Sequence, residues 1–239
     1  MKFSCFFPMY NEEGNIRKMV SVAVAVLEKK CEEFEVIVVN DGSADKTKEI
    51  AEELSRNDNR IRVVNHEKNL GYGAALRSGL ATCKYEIIFQ SDGDNQYDLN
   101  EIDRLLPYIN DHDFVIGYRI KRRDPFFRSL EALWYRFMLI LLFGLNLRDT
   151  NCAFKIFKKS IISKLDLVSN GAIINGEIMI KARKNGYSKI KEVGVDHFPR
   201  KVGKQTGAKP RVLFEALISI LKLWYNTTGT GQKGRKKTR

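Results

Sequence analysis

Short, uninterrupted apolar runs alternate with longer amphipathic segments through the first half of this chain. The runs are dense in Phe, Val and Ile, which suits strands buried on both faces, and the segments between them have helical periodicity. The predicted strands cover residues 3–7, 34–39, 61–65, 86–90 and 114–117. Strands separated by helices pair in parallel, so the pattern predicts an α/β fold on a doubly wound, mostly parallel twisted sheet.

The second half is less regular and mainly helical. Helical patterns cover residues 99–109, 126–143, 177–185 and 212–225, and short strand-like runs cover 153–157 and 193–197. A chain of 239 residues is long enough for one large domain and short for two independent ones. We therefore predict a single domain over residues 1–226, followed by a basic, disordered tail at 227–239.

The chain is strongly basic, with 41 Lys and Arg against 29 Asp and Glu and a formal charge of +12. Such a surface favours an anionic partner, and nucleic acid, anionic lipid and phosphorylated substrates all qualify. A basic nucleic-acid-binding domain is the non-enzyme alternative. Because the sequence contains no known nucleic-acid motif and no recognisable aromatic reading surface, we expect no nucleic-acid partner.

No segment has the length of a membrane span. The longest apolar run, residues 137–143, is far shorter than the ~20 residues that a span requires. No signal peptide is visible after Met1, and the four cysteines form no CxxC pair. We expect a cytoplasmic protein with reduced thiols that is either soluble or peripheral on the inner face of the membrane.

Acidic residues follow the fourth predicted strand. Asp92 and Asp94 flank Gly93, and Gln96 adds a neutral oxygen two residues later. Two carboxylates at this spacing suit Mg²⁺ or Mn²⁺, which can bridge the phosphates of a nucleotide. Taken alone, the same residues are explained slightly better by a polar turn. Ligands of doubly wound sheets bind beyond the carboxyl ends of the strands, so this loop should meet the polar segments 10–13 and 40–43 in one crevice.

Gly71 and Gly73 resemble the start of a dinucleotide-binding fingerprint. Leu76 occupies the third glycine position, and no acidic residue follows where NAD binding requires one. We therefore reject NAD binding and expect these glycines to let a helix begin close to the ligand crevice.

Several motifs together resemble family 2 glycosyltransferases of the GT-A fold. The motifs are FFPMYNEEGNI, VIVVNDGSADKT, NLGYGAALRSG and SDGDNQ, in the order and spacing of that family. Later segments resemble its polyprenyl-phosphate branch: VIGYR, LLFGLNLRDTNCAFKIF and DHFPRKVGKQTG. The resemblance covers roughly residues 3–225 and implies a nucleotide-sugar-binding half at 1–118 and an acceptor- and membrane-facing half at 119–226.

The resemblance also implies roles for individual residues. Donor contacts are expected at Pro8, Tyr10, Glu12, Val39, Asp41, Ser91, Asp92 and Gly93. Asp92, Asp94 and Gln96 would hold Mg²⁺ or Mn²⁺, and Asp92, Asp94 and Arg200 are the expected catalytic residues. Arg119 and Arg200 match the basic residues of the family near the phosphates, and we add Arg128 for its place in the helical segment 126–143. Gln205 and Thr206 replace a common Ser-Lys pair, and Ala153 stands where some relatives carry an acid.

The resemblance implies an inverting, in-line transfer of a sugar from a GDP- or UDP-linked donor to a polyprenyl phosphate. A phosphate acceptor needs no general base, because it is largely ionised at pH 7. Asp149 and Glu177 are candidate bases for another acceptor, or else a turn residue and a helix N-terminal acid. A family 2 enzyme with a saccharide or other hydroxyl acceptor is the alternative function.

The segment 126–143 carries an apolar stripe next to the basic residues 121–123. This arrangement is typical of an interfacial helix on anionic lipid, and it is equally typical of a core helix or of a dimer interface. A homo-oligomer and a membrane-protein partner therefore both stay open.

Overall fold

The computed structural model describes residues 1–120, 126–200, 202 and 210–227, and the side chains of 126–131 and 210–217 lie outside the described part. In the described residues, one seven-stranded sheet has the order β3-β2-β1-β4-β6-β5-β7. The strands are β1 Lys2–Met9, β2 Glu33–Asn40, β3 Ile61–Asn65, β4 Ile87–Gln90, β5 Phe114–Arg119, β6 Lys155–Lys158 and β7 Ile190–Val195.

All strand pairings are parallel except those of β6, which runs antiparallel to both of its neighbours, β4 and β5. This confirms the mostly parallel sheet predicted from the sequence. The reversed strand places the start of β6 at the edge where the other strands end, since Lys155 pairs with Gln90 at the end of β4.

The sheet separates two hydrophobic cores. Along β1, Phe3 and Phe7 belong to one core and Phe6 to the other, as the two-residue period of a strand requires. The helices are α1 Ile16–Glu28, α2 Thr47–Asn57, α3 Tyr72–Thr82, α4 Phe126–Phe143, α5 Lys159–Ile162, α6 Ile174–Lys184 and α7 Pro210–Thr227. Helices α1 and α2 pack in the first core, while α3 and α6 pack in the second.

Helices α4 and α7 pack against each other. Leu139 of α4 and Ile220 of α7 are buried in the second core. Within the part of the chain that the structure describes, no helix combines the length and the apolar character needed to cross a membrane.

The single helix predicted over residues 99–109 is wrong. Two 3₁₀ helices, Leu99–Arg104 and Leu106–Tyr108, occupy this segment. Pro107 has no backbone N–H and breaks an α-helical ladder, which explains the division. The last strand also begins earlier than predicted, at Ile190, because it pairs along β5 from Phe114 onward.

Candidate active site

Three loops meet at the carboxyl ends of β1, β2 and β4, as predicted. The N–H of Asn11 donates to Ser43 Oγ (3.0 Å), and the Asn11 Oδ1 accepts from the N–H of Ala44 (2.8 Å). In the loop after β4, Asn95 Nδ2 donates to the carbonyl and the Oδ1 of Asn15, both at 3.1 Å. The hydrogen bonds of asparagine side chains therefore join the first loop to the other two.

Asp92 and Asp94 lie side by side in the loop after β4, and both side chains are partly exposed. Burial raises the pKa of Asp92 above its ordinary range, although a hydrogen bond from Tyr72 and the charge of Lys155 oppose this. Burial and the neighbouring charge of Asp92 raise the pKa of Asp94 to about 6. Two carboxylates that resist ionisation together are a pair that a divalent cation would stabilise.

The donor set of this loop fits a hard cation such as Mg²⁺ or Mn²⁺, which prefers oxygen ligands. The described residues contain no group of three or more His, Cys, Asp or Glu side chains that could hold a metal ion. A cation held by Asp92 and Asp94 would keep coordination positions for other oxygen ligands, as is common for Mg²⁺.

Gln96 links this loop to the segment after β7. Its side-chain Nε2 donates to the backbone carbonyl of Phe198 (2.8 Å). The backbone carbonyl of Gln96 accepts from the N–H of Phe198 (2.8 Å). The sequence predicts Gln96 as a metal ligand. In the structure, the side-chain amide of Gln96 instead bonds to Phe198. This contact holds the segment that leads to Arg200 beside the loop after β4.

Arg200 lies at the carboxylates, as the sequence predicts. Its Nη1 is 3.6 Å from Asp94 Oδ2, and its Nη2 is 2.5 Å from Glu12 Oε1. Glu12 also accepts from Asn15 Nδ2 at 2.7 Å. Both oxygens of Glu12 thus bind protein donors, so the observed role of this predicted donor contact is to hold Arg200.

Asp41 is buried and organises the chain between β3 and α3. Its Oδ1 lies 2.7 Å from His66 Nδ1 and accepts from the N–H of Leu70 (2.9 Å), and its Oδ2 accepts from the N–H of Gly71 (2.9 Å). The contacts observed for this predicted donor residue therefore orient the segment that precedes Tyr72.

The other predicted donor contacts differ in accessibility. Tyr10 is 40% exposed at the end of β1 and can present its ring to a ligand. Pro8 and Ser91 are buried, and the Val39 side chain lies entirely within the second core. Gly93 packs closely on β1, because a Cβ there would lie 2.6 Å from Met9 Cγ.

Arg119 forms a two-pronged ion pair with Asp149. Arg119 Nε and Nη2 donate to Asp149 Oδ2 and Oδ1 at 2.6 and 2.9 Å, with side chains only 13% and 7% exposed. Burial acts to lower the pKa of Arg119, but the bond to Asp149 raises it overall. Asp149 is therefore engaged with a cation. Glu177, the other candidate base, accepts from the N–H groups of Val168 (3.0 Å) and Ser169 (2.9 Å).

Gly71 and Gly73 lie where α3 begins beside the crevice, and they also make room for a neighbouring segment. A Cβ at Gly73 would lie 2.4 Å from the carbonyl oxygen of Ser169, and one at Gly71 would lie 2.7 Å from that of Asn170. The glycines make room for the chain before α6. The N–H of Gly73 donates to the Asn170 carbonyl (2.6 Å), which holds that chain against α3.

Sequence reasoning missed three buried or partly buried residues beside Asp92: Tyr72, Lys155 and Asn175. The Tyr72 hydroxyl donates to Asp92 Oδ1 at 3.0 Å. Lys155 is fully buried, and burial lowers its pKa to about 8. A lysine inside the apolar run AFKIF was the one signal in the sequence that marked a special site.

Some sequence predictions fall on parts of the chain that are not described. Arg128 lies in α4, but its side chain is outside the described residues, as are Gln205 and Thr206. The predicted basic tail is outside them too, except for Thr227, which ends α7.

Comparison with known proteins supplies the family. The family model described as Glycosyl transferase family 2 matches residues 4–166. The dodecaprenyl-phosphate galacturonate synthase of Rhizobium johnstonii is 27% identical over 234 residues, which are 94% of this chain and 67% of that protein. Human dolichyl-phosphate beta-glucosyltransferase is 30% identical over 184 residues, 68% of this chain and 56% of that protein. The chain thus spans between about half and two thirds of these two relatives.

Solved structures confirm the predicted GT-A type fold. Mannosyl-3-phosphoglycerate synthase from Rubrobacter xylanophilus superposes with a TM-score of 0.75 at 14% identity, over all of this chain and 76% of that one. Glucosyl-3-phosphoglycerate synthase from Mycobacterium tuberculosis, in complex with Mn²⁺, UDP and glucosyl-3-phosphoglycerate, gives 0.68 at 20% identity, over 92% and 79% of the two chains. At these identities the likeness concerns the fold alone.

Proposed function

We propose that this chain, which belongs to glycosyl transferase family 2, moves a sugar from a nucleoside-diphosphate donor to a polyprenyl phosphate at a membrane surface. The observation that carries the proposal is the Asp92–Asp94 pair, placed where three loops meet and bordered by Arg200. A pair of carboxylates that favours a cation, beside a nearly buried guanidinium, is suited to a diphosphate.

Asp92 and Asp94 would hold Mg²⁺ or Mn²⁺, with Gln96 as a further oxygen donor. When bound there, the cation would neutralise the negative charge that develops on the departing nucleoside diphosphate. Arg200 lies 3.6 Å from Asp94 and would bind a phosphate oxygen of the same leaving group. The glucosyl-3-phosphoglycerate synthase from Mycobacterium tuberculosis was solved with Mn²⁺ and UDP, which supports the proposed use of a divalent cation.

Tyr10 would cover the donor nucleoside, and Asp41 would act on it by shaping the segment before Tyr72. The backbone at Pro8, Val39, Ser91 and Gly93 would border the nucleotide, and Glu12 would act by holding Arg200. Binding of UDP or of GDP identifies whether the nucleoside of the donor is uridine or guanosine.

The acceptor is proposed to be a phosphate because the candidate bases are occupied. Asp149 binds Arg119, and Glu177 binds backbone N–H groups in the described chain. An ionised phosphate oxygen attacks the anomeric carbon directly, its bond to that carbon forms as the bond to the leaving diphosphate breaks, and the configuration inverts. Arg119, Arg128 and Arg200 would receive the phosphate groups. The names of both curated relatives contain a polyprenyl phosphate.

Exposed apolar side chains on α4 and α7 support a place on the membrane surface. The exposed residues of this apolar face are Leu133, Trp134, Phe137, Ile140, Leu141, Ile218, Leu221, Trp224 and Tyr225. A continuous set of large apolar side chains of this kind marks an interaction surface. We propose that the domain 1–226 lies on the cytoplasmic face of the membrane through it, with the tail 227–239 near the headgroups. A second copy or a membrane protein is the alternative partner.

Two experiments test the proposal. The first measures the melting temperature of the full chain with UDP or GDP, each with and without Mn²⁺ or Mg²⁺. We expect stabilisation by one nucleotide that requires the metal. The second measures transfer from labelled nucleotide sugars to a polyprenyl phosphate in liposomes, with a soluble sugar as the control acceptor.

The results separate the alternatives. Metal-dependent transfer to the polyprenyl phosphate alone supports the proposal. Equal transfer to the soluble sugar would show that the enzyme uses a hydroxyl acceptor instead of the lipid phosphate. If no nucleotide stabilises the protein with either metal, the assigned donor site is wrong.

A further inference from the structure

We propose that Tyr72 is a positioning residue that fixes one oxygen of Asp92, and that Lys155 and Asn175 hold Tyr72 in place for this role. This inference rests on the proposed function, because it concerns the carboxylate that would bind the cation. It adds residues from β6, α3 and α6 to a site that the sequence motifs confine to the loop after β4.

Hydrogen bonds join Tyr72 to Asp92 and Lys155 to Asn175, and Asn175 interacts with Tyr72. Lys155 Nζ donates to Asn175 Oδ1 at 2.9 Å, and both side chains are buried. The Asn175 side chain also interacts with the Tyr72 hydroxyl and acts to lower its pKa, and its Nδ2 donates to the Ala172 carbonyl at 3.5 Å. The Tyr72 hydroxyl lies 3.0 Å from Asp92 Oδ1. The ammonium of Lys155 and the carboxylate of Asp92 thus lie on either side of two neutral side chains, Asn175 and Tyr72.

The chemistry of these side chains decides which group donates and which accepts in each hydrogen bond. An ammonium can only donate, so the amide oxygen of Asn175 faces Lys155, and its NH₂ group donates to the Ala172 carbonyl. The Tyr72 oxygen also accepts from Gln90 Nε2 at 3.2 Å. With its oxygen accepting from Gln90, the hydroxyl has its proton left for Asp92 Oδ1. The arrangement therefore holds the Asp92 carboxyl group in one orientation.

The fold explains why these residues meet. The reversed direction of β6 brings Lys155 beside Gln90 at the end of β4, two residues before Asp92. Tyr72 begins α3, and Asp41 holds the segment before it through the N–H of Gly71. Tyr72 is thus anchored from the second loop of the crevice and acts on the third.

The consequence for a cation is geometric. Because Tyr72 holds Asp92 Oδ1, the carboxylate would be offered to a metal ion in one orientation. A side chain that orients a metal ligand from outside the coordination shell typically changes metal affinity about 10–100-fold when it is removed. Loss of the Tyr72 hydroxyl should therefore weaken metal binding without removing a ligand.

The test compares Tyr72→Phe with the wild-type protein in the full chain. Phe keeps the ring and its packing and removes the hydroxyl alone. Tyr85→Phe is the matched control, since the Tyr85 hydroxyl bonds to exposed Glu33 at 3.1 Å, at the opposite edge of the sheet. Mn²⁺ binding in the presence of UDP is measured by electron paramagnetic resonance, and the Mn²⁺ concentration for half-maximal transfer is measured in parallel.

We expect Tyr72→Phe to raise the Mn²⁺ dissociation constant and the half-maximal Mn²⁺ concentration about tenfold or more. Saturating Mn²⁺ should restore most of kcat, and Tyr85→Phe should behave as wild type. The Asn175→Ala variant tests the link between Lys155 and Tyr72. Its effect on Mn²⁺ affinity should be absent in the Tyr72→Phe background, because both act through one path.

Unchanged Mn²⁺ affinity in a folded Tyr72→Phe protein would overturn the inference and leave the proposed function standing. Full additivity of the Tyr72→Phe and Asn175→Ala effects would also overturn the shared path. A wild-type protein that binds no Mn²⁺ with UDP or with GDP would remove both the metal-dependent function and the inference.

Discussion

Arg200 Nη1 lies 3.6 Å from Asp94 Oδ2, although the two residues belong to segments that follow different strands. The same guanidinium binds Glu12 in the first loop at 2.5 Å. Arg200 therefore offsets part of the charge of Asp94 while joining two loops of the crevice. A bound cation and diphosphate would share this position, so Arg200 is placed to exchange a carboxylate for a phosphate oxygen.

Asp94→Asn should abolish transfer and leave the protein folded. The change removes a metal ligand, and it also removes the repulsion from Asp92 that raises the pKa of Asp94. We expect a metal-free melting temperature equal to or above that of the wild type, and no stabilisation by nucleotide with Mn²⁺. Asp111→Asn, in an exposed turn at the opposite edge of the sheet, is the control and should keep full activity. Retained turnover in Asp94→Asn would remove this residue from the metal site.

Metal binding should strengthen as the pH rises through about 6, the raised pKa of Asp94. A carboxyl whose pKa is higher in the folded than in the unfolded state binds protons more tightly when folded. Its contribution to metal-free stability therefore declines from about pH 4 to about pH 6, as the folded carboxylate ionises. Added Mn²⁺ with nucleotide should reverse this decline, since the ligand must be ionised. The measurement is the increase in melting temperature that Mn²⁺ and nucleotide cause, followed from pH 5 to 8. An increase that does not depend on pH would contradict the prediction.

Asp149→Asn should destabilise the fold by about 3 kcal/mol, because it leaves the nearly buried guanidinium of Arg119 without its anionic partner. Urea unfolding measures the free energy. Glu53→Gln breaks the exposed pair between Glu53 and Arg17 and serves as the control, with no measurable change expected. If Asp149→Asn lost activity with an unchanged unfolding midpoint, Asp149 would have a chemical role instead of a structural one.

Gly73→Ala should destabilise the protein by about 1–3 kcal/mol, the usual cost of inserting a methyl group into a packed contact. The new Cβ would lie 2.4 Å from the Ser169 carbonyl oxygen, which is backbone and cannot rotate away. Gly171→Ala is the matched control, since a Cβ there would meet no atom within 4 Å. Thermal unfolding compares the two variants. Equal melting temperatures would show that the segment before α6 can shift away from α3 at no cost in stability.

Phe137→Ser with Leu141→Ser should weaken binding to anionic vesicles by about tenfold or more, because each large apolar side chain contributes roughly 1.5–3 kcal/mol when buried. These residues are 56% and 63% exposed on the apolar face of α4 and α7. Val168→Ser, 52% exposed outside that face, is the control. Vesicle sedimentation measures the binding. If the double variant binds as wild type, while its oligomeric state changes in solution, the face joins copies of the chain.

The amino-acid sequence alone predicted the sheet and the meeting of the three loops. Period and composition reveal buried strands, and parallel strands necessarily end at one edge, so segments 10–13, 40–43 and 91–96 had to converge. The resemblance of the motifs then identified Asp92, Asp94 and Arg200, and the structure places these three together. Their roles in binding a donor and a metal stay predictions.

The pairing of side chains was decided by the tertiary structure. Nothing local to Tyr72 or Lys155 shows that they meet near Asp92, because that depends on β6 entering the sheet in reverse between β4 and β5. The same placement joins Arg119 to Asp149 and turns a candidate base into an ion-pair partner. Short-range patterns determine which segments become strands and loops, whereas hydrogen bonds between distant residues form only once the order of strands brings them within about 3 Å.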